Sequence, residues 1–120
     1  AEGITDRAAK NEVLAKAIAV YEDMITKFPS ISDWIWLNEA NAAQLMNDPD
    51  KVADIYKKVA AFEEAKPSLD EDSKSYLENV YYGLGYYNSK KGNKHEADEY
   101  YNKVLKVNPN NENAKKALGM

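Results

Sequence analysis

Apolar residues recur at helical spacing along most of the chain, and short segments rich in proline, asparagine or aspartate interrupt them. The first such segment predicts one helix from Thr5 to Phe28, because its apolar side chains fall every three or four positions. Its apolar stripe consists of Val13, Leu14, Ala17, Ile18, Tyr21, Ile25 and Phe28. Pro29 disfavours helical geometry at the residue before it, so we expect the helix to end at Phe28.

Turn and capping residues divide the rest of the chain into five further predicted helices. They cover residues 33–47, 49–65, 69–91, 94–107 and 111–120. Ser32, Asp48 and Asn93 are expected as N-caps, and Pro49 suits a first helical position. Ser68 and Glu71 fit a capping box, and Gly92 is placed as a C-terminal glycine. The predicted fold class is all-α, with six helices, no strands and one domain over residues 1–120.

One segment of the chain follows an ordered motif of aromatic, small and proline positions. It reads Tyr81-x-x-Leu84-Gly85, then Ala97-x-x-x-Tyr101, Val104 and Pro109. This segment resembles the tetratricopeptide repeat of about 34 residues, with tyrosine in place of both large aromatics. Looser copies of its second half are Ala17, Tyr21, Met24 and Pro29, and Val52, Tyr56 and Val59. Departures are Glu39 and Ala40 in place of Leu-Gly, and Asn88 in place of the second aromatic.

The resemblance implies a right-handed superhelical stack of antiparallel helix pairs, with about three units. Residues 5–28 would be a first helix, 33–65 and 69–107 two helix pairs, and 111–120 a C-terminal capping helix. In this family the first helix of each pair lines a concave groove. The implied function is therefore a non-enzymatic protein–protein interaction module that binds a peptide or partner protein along helices two and four. The alternative is a structural spacer or self-associating repeat unit, forming a homo-oligomer through its exposed repeat ends.

Helix two carries two tryptophans that cannot share one face, because they lie about 200° apart around the helix. Trp36 continues through small residues and is assigned to the core. Trp34 continues through Asn38, Asn41 and Leu45, which together form a candidate binding face. The other interpretation is that Trp34 packs under the turn at Pro29.

Helix four carries a packing face and a second candidate binding face. The packing face consists of Leu77, Tyr81, Leu84 and Gly85, and the candidate binding face of Asn79, Tyr82, Tyr86 and Lys90. Amides pair with a peptide backbone, and aromatic rings supply apolar area at low entropic cost. The other interpretation is that these tyrosines fill the helix stack. Helix two has no lysine, so the clamp for a C-terminal carboxylate known in this family is not expected.

Composition narrows the function classes further. A net charge of −4 argues against a nucleic-acid surface, and no apolar run is long enough to span a membrane. There is no cysteine, His95 is the only histidine, and Asp48, Asp50 and Asp54 lack the rest of a calcium loop. We therefore predict no enzyme activity, no metal and no cofactor. The excess of lysine over arginine and the 12 asparagines indicate AT-rich coding of a bacterial kind, and the sequence leaves the compartment open.

Overall fold

Helices account for the regular structure of the chain. The computed structural model describes the backbone of residues 2–120 and the side chains of residues 9–30 and 32–120. The elements are α1 (Glu2–Lys27), a 3₁₀ turn (Pro29–Ile31), α2 (Ser32–Leu45), α3 (Pro49–Glu64), α4 (Glu71–Lys90), α5 (Lys94–Val107) and α6 (Glu112–Ala117). Residues 2–120 contain no strand. The predicted all-α fold with six helices is confirmed.

The chain divides into two compact units, Ala1–Ile55 and Tyr56–Met120, and the division falls within α3. In the first unit, α1 packs against α2 and the 3₁₀ turn. The side of α1 that carries Ile18 is buried, whereas Val13 and Phe28 remain 65% and 55% exposed. The predicted apolar stripe is therefore only partly buried. A single neighbouring helix covers one side of a helix, and a stripe this wide extends beyond that side.

The helix ends follow local capping chemistry, with some corrections to the sequence-based prediction. Asp48 caps α3 as predicted, since its Oδ1 accepts a hydrogen bond of 3.2 Å from the Lys51 amide. The prediction of a capping box that starts at Ser68 is wrong. Asp70 is the N-cap of α4, and its Oδ1 accepts from the Ser73 amide at 2.8 Å. The helix therefore begins at Glu71, because this carboxylate satisfies one of the free amides of the first turn.

Two other predicted N-caps also behave differently. Ser32 is the first residue of α2, and its Oγ donates to the Pro29 carbonyl at 2.7 Å, since a 3₁₀ turn precedes the helix. Asn93 occupies the N-cap position of α5 without a side-chain capping bond. The side-chain nitrogen Nδ2 of Asn93 instead donates to Oδ1 of Asn88 at 3.4 Å. Gly92 has a φ of +82°, which explains why glycine follows α4.

In the second unit, α4 packs against α5, and α5 packs against α6. The predicted packing face of α4 is confirmed, because all four of its residues are buried. Gly85 lies directly against the ring of Tyr101. A Cβ atom at position 85 would stand 2.7 Å from Cε1 of that ring, which is closer than van der Waals contact allows. The absence of a side chain at Gly85 therefore permits the close approach of α4 and α5.

Tyr81, on the same face, makes a side-chain hydrogen bond to the end of α3. Its hydroxyl donates to Oε1 of Glu64 at 2.6 Å. Burial raises the pKa of Tyr81 above its ordinary value, and the bond to Glu64 and the charge of that carboxylate raise this pKa further. The neutral phenol is therefore the form that the folded chain stabilises.

Replacing Tyr81 with phenylalanine should lower the free energy of unfolding by about 1 kcal/mol, the usual net value of one hydrogen bond. The pH dependence gives a second readout. Because the folded pKa is raised, this stabilisation is complete below the unfolded pKa of about 10 and is lost as the pH rises above it. Urea unfolding at about pH 8 and about pH 11 should show a smaller alkaline loss of stability in Tyr81→Phe than in the wild type. Equal losses in both proteins would contradict this assignment.

Candidate functional site

The candidate binding face of α2 is accessible to solvent. Trp34 is 50% exposed, Leu45 is 59% exposed and Asn41 is also exposed. Asn38 is half-buried, and its amide nitrogen donates to the Trp34 carbonyl at 2.8 Å. This bond occupies one amide donor and leaves the carbonyl oxygen of the Asn38 side chain as an acceptor. The face therefore combines an exposed indole with amide groups.

The buried side of α2 is wider than the sequence suggested. Ala40 and Ala43, which continue the predicted core side of Trp36, are fully buried. Ile35 is fully buried, whereas Trp36 is only half-buried. Ile35 shares the buried side with Glu39, Ala42 and Ala43. Sequence analysis missed Ile35 because the two tryptophans on either side of it dominate the pattern. Its spacing of four and seven positions to Glu39 and Ala42 was the available signal.

The candidate binding face of α4 differs in exposure from residue to residue. Tyr82 is half-buried, and its ring centroid lies 5.6 Å from that of Tyr101, tilted by 55°. Tyr86 is 53% exposed, and Nζ of Lys90 lies 5.3 Å from the centroid of its ring. Tyr82 is thus held by packing on α5, whereas Tyr86 presents a ring edge and a neighbouring positive charge to solvent. Asn79 and Lys90 are exposed.

The end of this face that carries Asn79 borders a recess between α4 and the start of α6, which we call the α4–α6 recess. It has a volume of about 320 Å³. Its lining consists of Ser75, Glu78, Asn79, Tyr82, Asn111 and Asn113. Two of the predicted residues, Asn79 and Tyr82, thus lie in one concave site. Four of its six lining side chains carry amide or carboxylate groups, so the recess can donate and accept hydrogen bonds.

Glu78 fixes the position of the chain that enters α6. Its Oε1 accepts hydrogen bonds from Nδ2 of Asn108 at 2.9 Å and from Nδ2 of Asn111 at 2.7 Å. Asn111 also caps α6, with its Oδ1 accepting from the Ala114 amide at 2.9 Å. The sequence analysis missed this arrangement, because Glu78 and the two asparagines are about 30 positions apart in the chain.

The helix–turn–helix over which these contacts extend matches a family model. The matched residues are 78–111, and the family is described as the tetratricopeptide repeat. This segment is therefore similar to a tetratricopeptide repeat. Together with the all-helical fold, this match supports a repeat protein of the tetratricopeptide type, and the predicted resemblance is confirmed. A search of curated proteins found no match.

Tetratricopeptide repeats in general mediate protein–protein interactions, and the repeat is a non-catalytic fold. The matched repeat contains Asn79, Tyr82, Tyr86 and Lys90. Trp34, Asn38 and Asn41 belong to the other compact unit. The prediction of a single groove lined by α2 and α4 therefore stays a prediction, and the two faces are described separately.

Metal binding and acid–base chemistry depend on side chains, and those of residues 9–30 and 32–120 are described. Nowhere in them do three histidine, aspartate or glutamate side chains come close enough to hold a metal ion. His95 is exposed on α5, where its Nε2 lies 2.9 Å from Oε1 of Glu99. None of the helices in the described part of the chain is long and apolar enough to cross a membrane.

Proposed function

We propose that the chain binds an extended peptide, or an extended segment of a partner protein, through the exposed faces of α2 and α4. The observation that carries this proposal is the arrangement on the tetratricopeptide repeat. There the exposed Tyr86 lies about one helical turn from Tyr82, which lines the amide-rich α4–α6 recess. Aromatic side chains with few rotamers bind apolar groups at low entropic cost, and amides satisfy the peptide backbone.

Each residue has a distinct part in the proposed binding. Asn79 pairs with a peptide group of the partner at the recess, and the ring of Tyr86 packs on a partner side chain. Lys90, beside that ring, favours an acceptor or carboxylate at the same end. Tyr82 forms the half-buried floor between them. On α2, Trp34 and Asn41 supply a second accessible contact of the same type, an aromatic ring beside an amide.

The structure decides which variant tests this proposal. Tyr82 packs on Tyr101, so its replacement would also disturb the fold. Asn79 and Tyr86 are exposed, so Asn79→Ala/Tyr86→Ala removes binding groups with little effect on packing. In pull-downs from source-cell lysate, we expect the double variant to recover the bound partner about tenfold less than the wild type, the effect of losing one aromatic contact.

The control variant is Asn102→Ala, which removes an exposed side-chain amide on α5, outside the candidate binding face of α4. Both variants should keep the helical circular dichroism signal and thermal midpoint of the wild type. Equal partner recovery by the wild type and Asn79→Ala/Tyr86→Ala would remove the proposed site while leaving the fold assignment intact.

The second candidate function is structural, as a unit that associates with further copies. It is favoured by α1, where Val13 and Val20 lie seven positions apart and are 65% and 59% exposed. Light scattering over a concentration series tests it. Self-association predicts a mass that rises with concentration in the wild type and not in Val13→Ser/Val20→Ser. A wild-type protein that stays monomeric at high concentration counts against this function.

A further inference from the structure

A second cavity lies on a different side of α4. It is formed by the segment that connects α3 to α4, by the start of α4 and by the end of α5. We propose that this cavity, the lysine pocket, binds an acidic peptide segment that carries one large apolar side chain. The pocket has a volume of about 650 Å³. Its lining consists of Glu64, Lys66, Pro67, Ser68, Leu69, Lys74, Leu77, Tyr81, Lys103, Lys106 and Val107.

The charge of the lysine pocket is opposite to that of the whole chain. Four lysines and one glutamate line the pocket, on a chain of net charge −4. Two of these lysines have nearby carboxylates, since Lys66 lies 2.8 Å from Glu63 and Lys74 lies 3.7 Å from Glu71. The other two lysines, Lys103 and Lys106, leave an excess of positive charge at the cavity, which an anionic ligand would offset.

The two lysines contributed by α5 are the ones open to a ligand. Among the side chains that the structure describes, no carboxylate lies within ion-pair distance of Lys103 or Lys106. Nζ of Lys103 lies 5.4 Å from the ring centroids of both Tyr81 and Tyr100. These rings hold the ammonium group at the rim of the pocket, where it can meet a carboxylate.

The lining of the lysine pocket between the lysines is mostly apolar. Leu77 and Tyr81 are buried, Val107 is half-buried, and Leu69 is 37% exposed beside Pro67. A ligand that fits must therefore place an apolar group inside and carboxylates at the rim. An acidic peptide with a central phenylalanine has this arrangement. A free inorganic anion would meet the lysines and leave the apolar surface uncovered, so it is a poorer match.

The lysine pocket is separate from the binding face described above. Leu77 and Tyr82 are five positions apart on α4, which places them about 140° apart around the helix. No residue lines both the lysine pocket and the α4–α6 recess. The two sites can therefore be tested independently.

The probe is a blocked, fluorescently labelled pentapeptide with a phenylalanine flanked on each side by two glutamates. Fluorescence anisotropy should show binding to the wild-type chain that weakens as salt is added. Lys103→Gln/Lys106→Gln should weaken this binding about fivefold or more, since it removes the two lysines without an ion-pair partner. The control Lys57→Gln/Lys58→Gln removes the same charge from exposed positions of α3 outside the pocket, and it should bind like the wild type.

Further arms of the experiment separate the possible sources of binding. A peptide with serine in place of phenylalanine should bind more weakly, and Asn79→Ala/Tyr86→Ala should bind the original peptide like the wild type. The proposal is overturned if the peptide does not bind, or if both lysine pairs weaken it equally. Equal binding of the serine peptide, or displacement by inorganic phosphate at similar concentrations, would also overturn it, because the apolar lining would then have no part.

Discussion

Replacing Gly85 with alanine should lower the free energy of unfolding by about 1 to 2 kcal/mol, because overpacking a core costs up to about 3 kcal/mol and helix propensity offsets about 1 kcal/mol of it. The new Cβ atom would stand 2.7 Å from Cε1 and 2.8 Å from Cδ1 of Tyr101. Tyr101 is itself only 5% exposed and packs on Tyr82, so its ring cannot move aside without disturbing a second ring. Helix propensity works in the other direction, since alanine is favoured over glycine by about 1 kcal/mol within a helix.

Urea unfolding followed by circular dichroism measures this loss, and a double-mutant cycle assigns its cause. Tyr101→Leu shortens the side chain that the new methyl group meets. The double variant Gly85→Ala/Tyr101→Leu should therefore be more stable than the sum of the two single changes indicates, by about 1 kcal/mol or more. Additive losses would mean that the contact with Tyr101 is not the reason for glycine at this position. A stabilised Gly85→Ala would show that helix propensity outweighs the close approach.

Glu78→Ala should lower the free energy of unfolding by about 2 kcal/mol, because it removes two hydrogen bonds to a charged acceptor. Water can replace these hydrogen bonds only in part. Oε1 of Glu78 accepts from Asn108 at 2.9 Å and from Asn111 at 2.7 Å. These bonds join α4 to the segment that leads into α6. We expect the loss to appear first at α6, as faster amide hydrogen exchange and faster proteolysis after Val107.

The matched control is Glu78→Gln, which keeps a carbonyl oxygen for the same two donors and removes only the charge. It should lose about half as much stability as Glu78→Ala, since hydrogen bonds to neutral acceptors contribute less. If α6 exchanges at the wild-type rate in Glu78→Ala, the two asparagine contacts do not hold the C-terminal helix. Equal losses in both variants would mean that the charge, and not the hydrogen bonding, matters.

The helices could be predicted from the sequence because the signals that define them are local. Pro29, Asp48 with Pro49, and Gly92 each act on their own backbone neighbourhood, and helix boundaries lie close to all of them. The start of α4 was misplaced for an instructive reason. Ser68 and Asp70 are both good N-caps, and only the bond from the Ser73 amide to Asp70 identifies the one that is used.

The candidate sites were less predictable than the helices. Tyr86 could be placed on an exposed face by its spacing from Asn79 and Tyr82. The hydrogen bonds from Asn108 and Asn111 to Glu78, beside the α4–α6 recess, could not be predicted. They require the turn after α5 to return to α4. The lysine pocket was not predicted at all. Its lysines come from three separate segments, and each of them alone resembles a solvated surface position.

The sequence by itself determined the number of helices, their approximate limits and the repeat motif over residues 78–111, since propensity, capping and periodicity act over a few neighbouring residues. Only the tertiary structure decided which faces are buried. Ile35 is fully buried whereas Trp34 is half exposed, although both are apolar and adjacent. Burial depends on which elements pack together, and that depends on contacts between residues far apart in the chain. The spacing of Ile35 to Glu39 and Ala42 marks one side of the helix, but it does not show which neighbouring element covers that side.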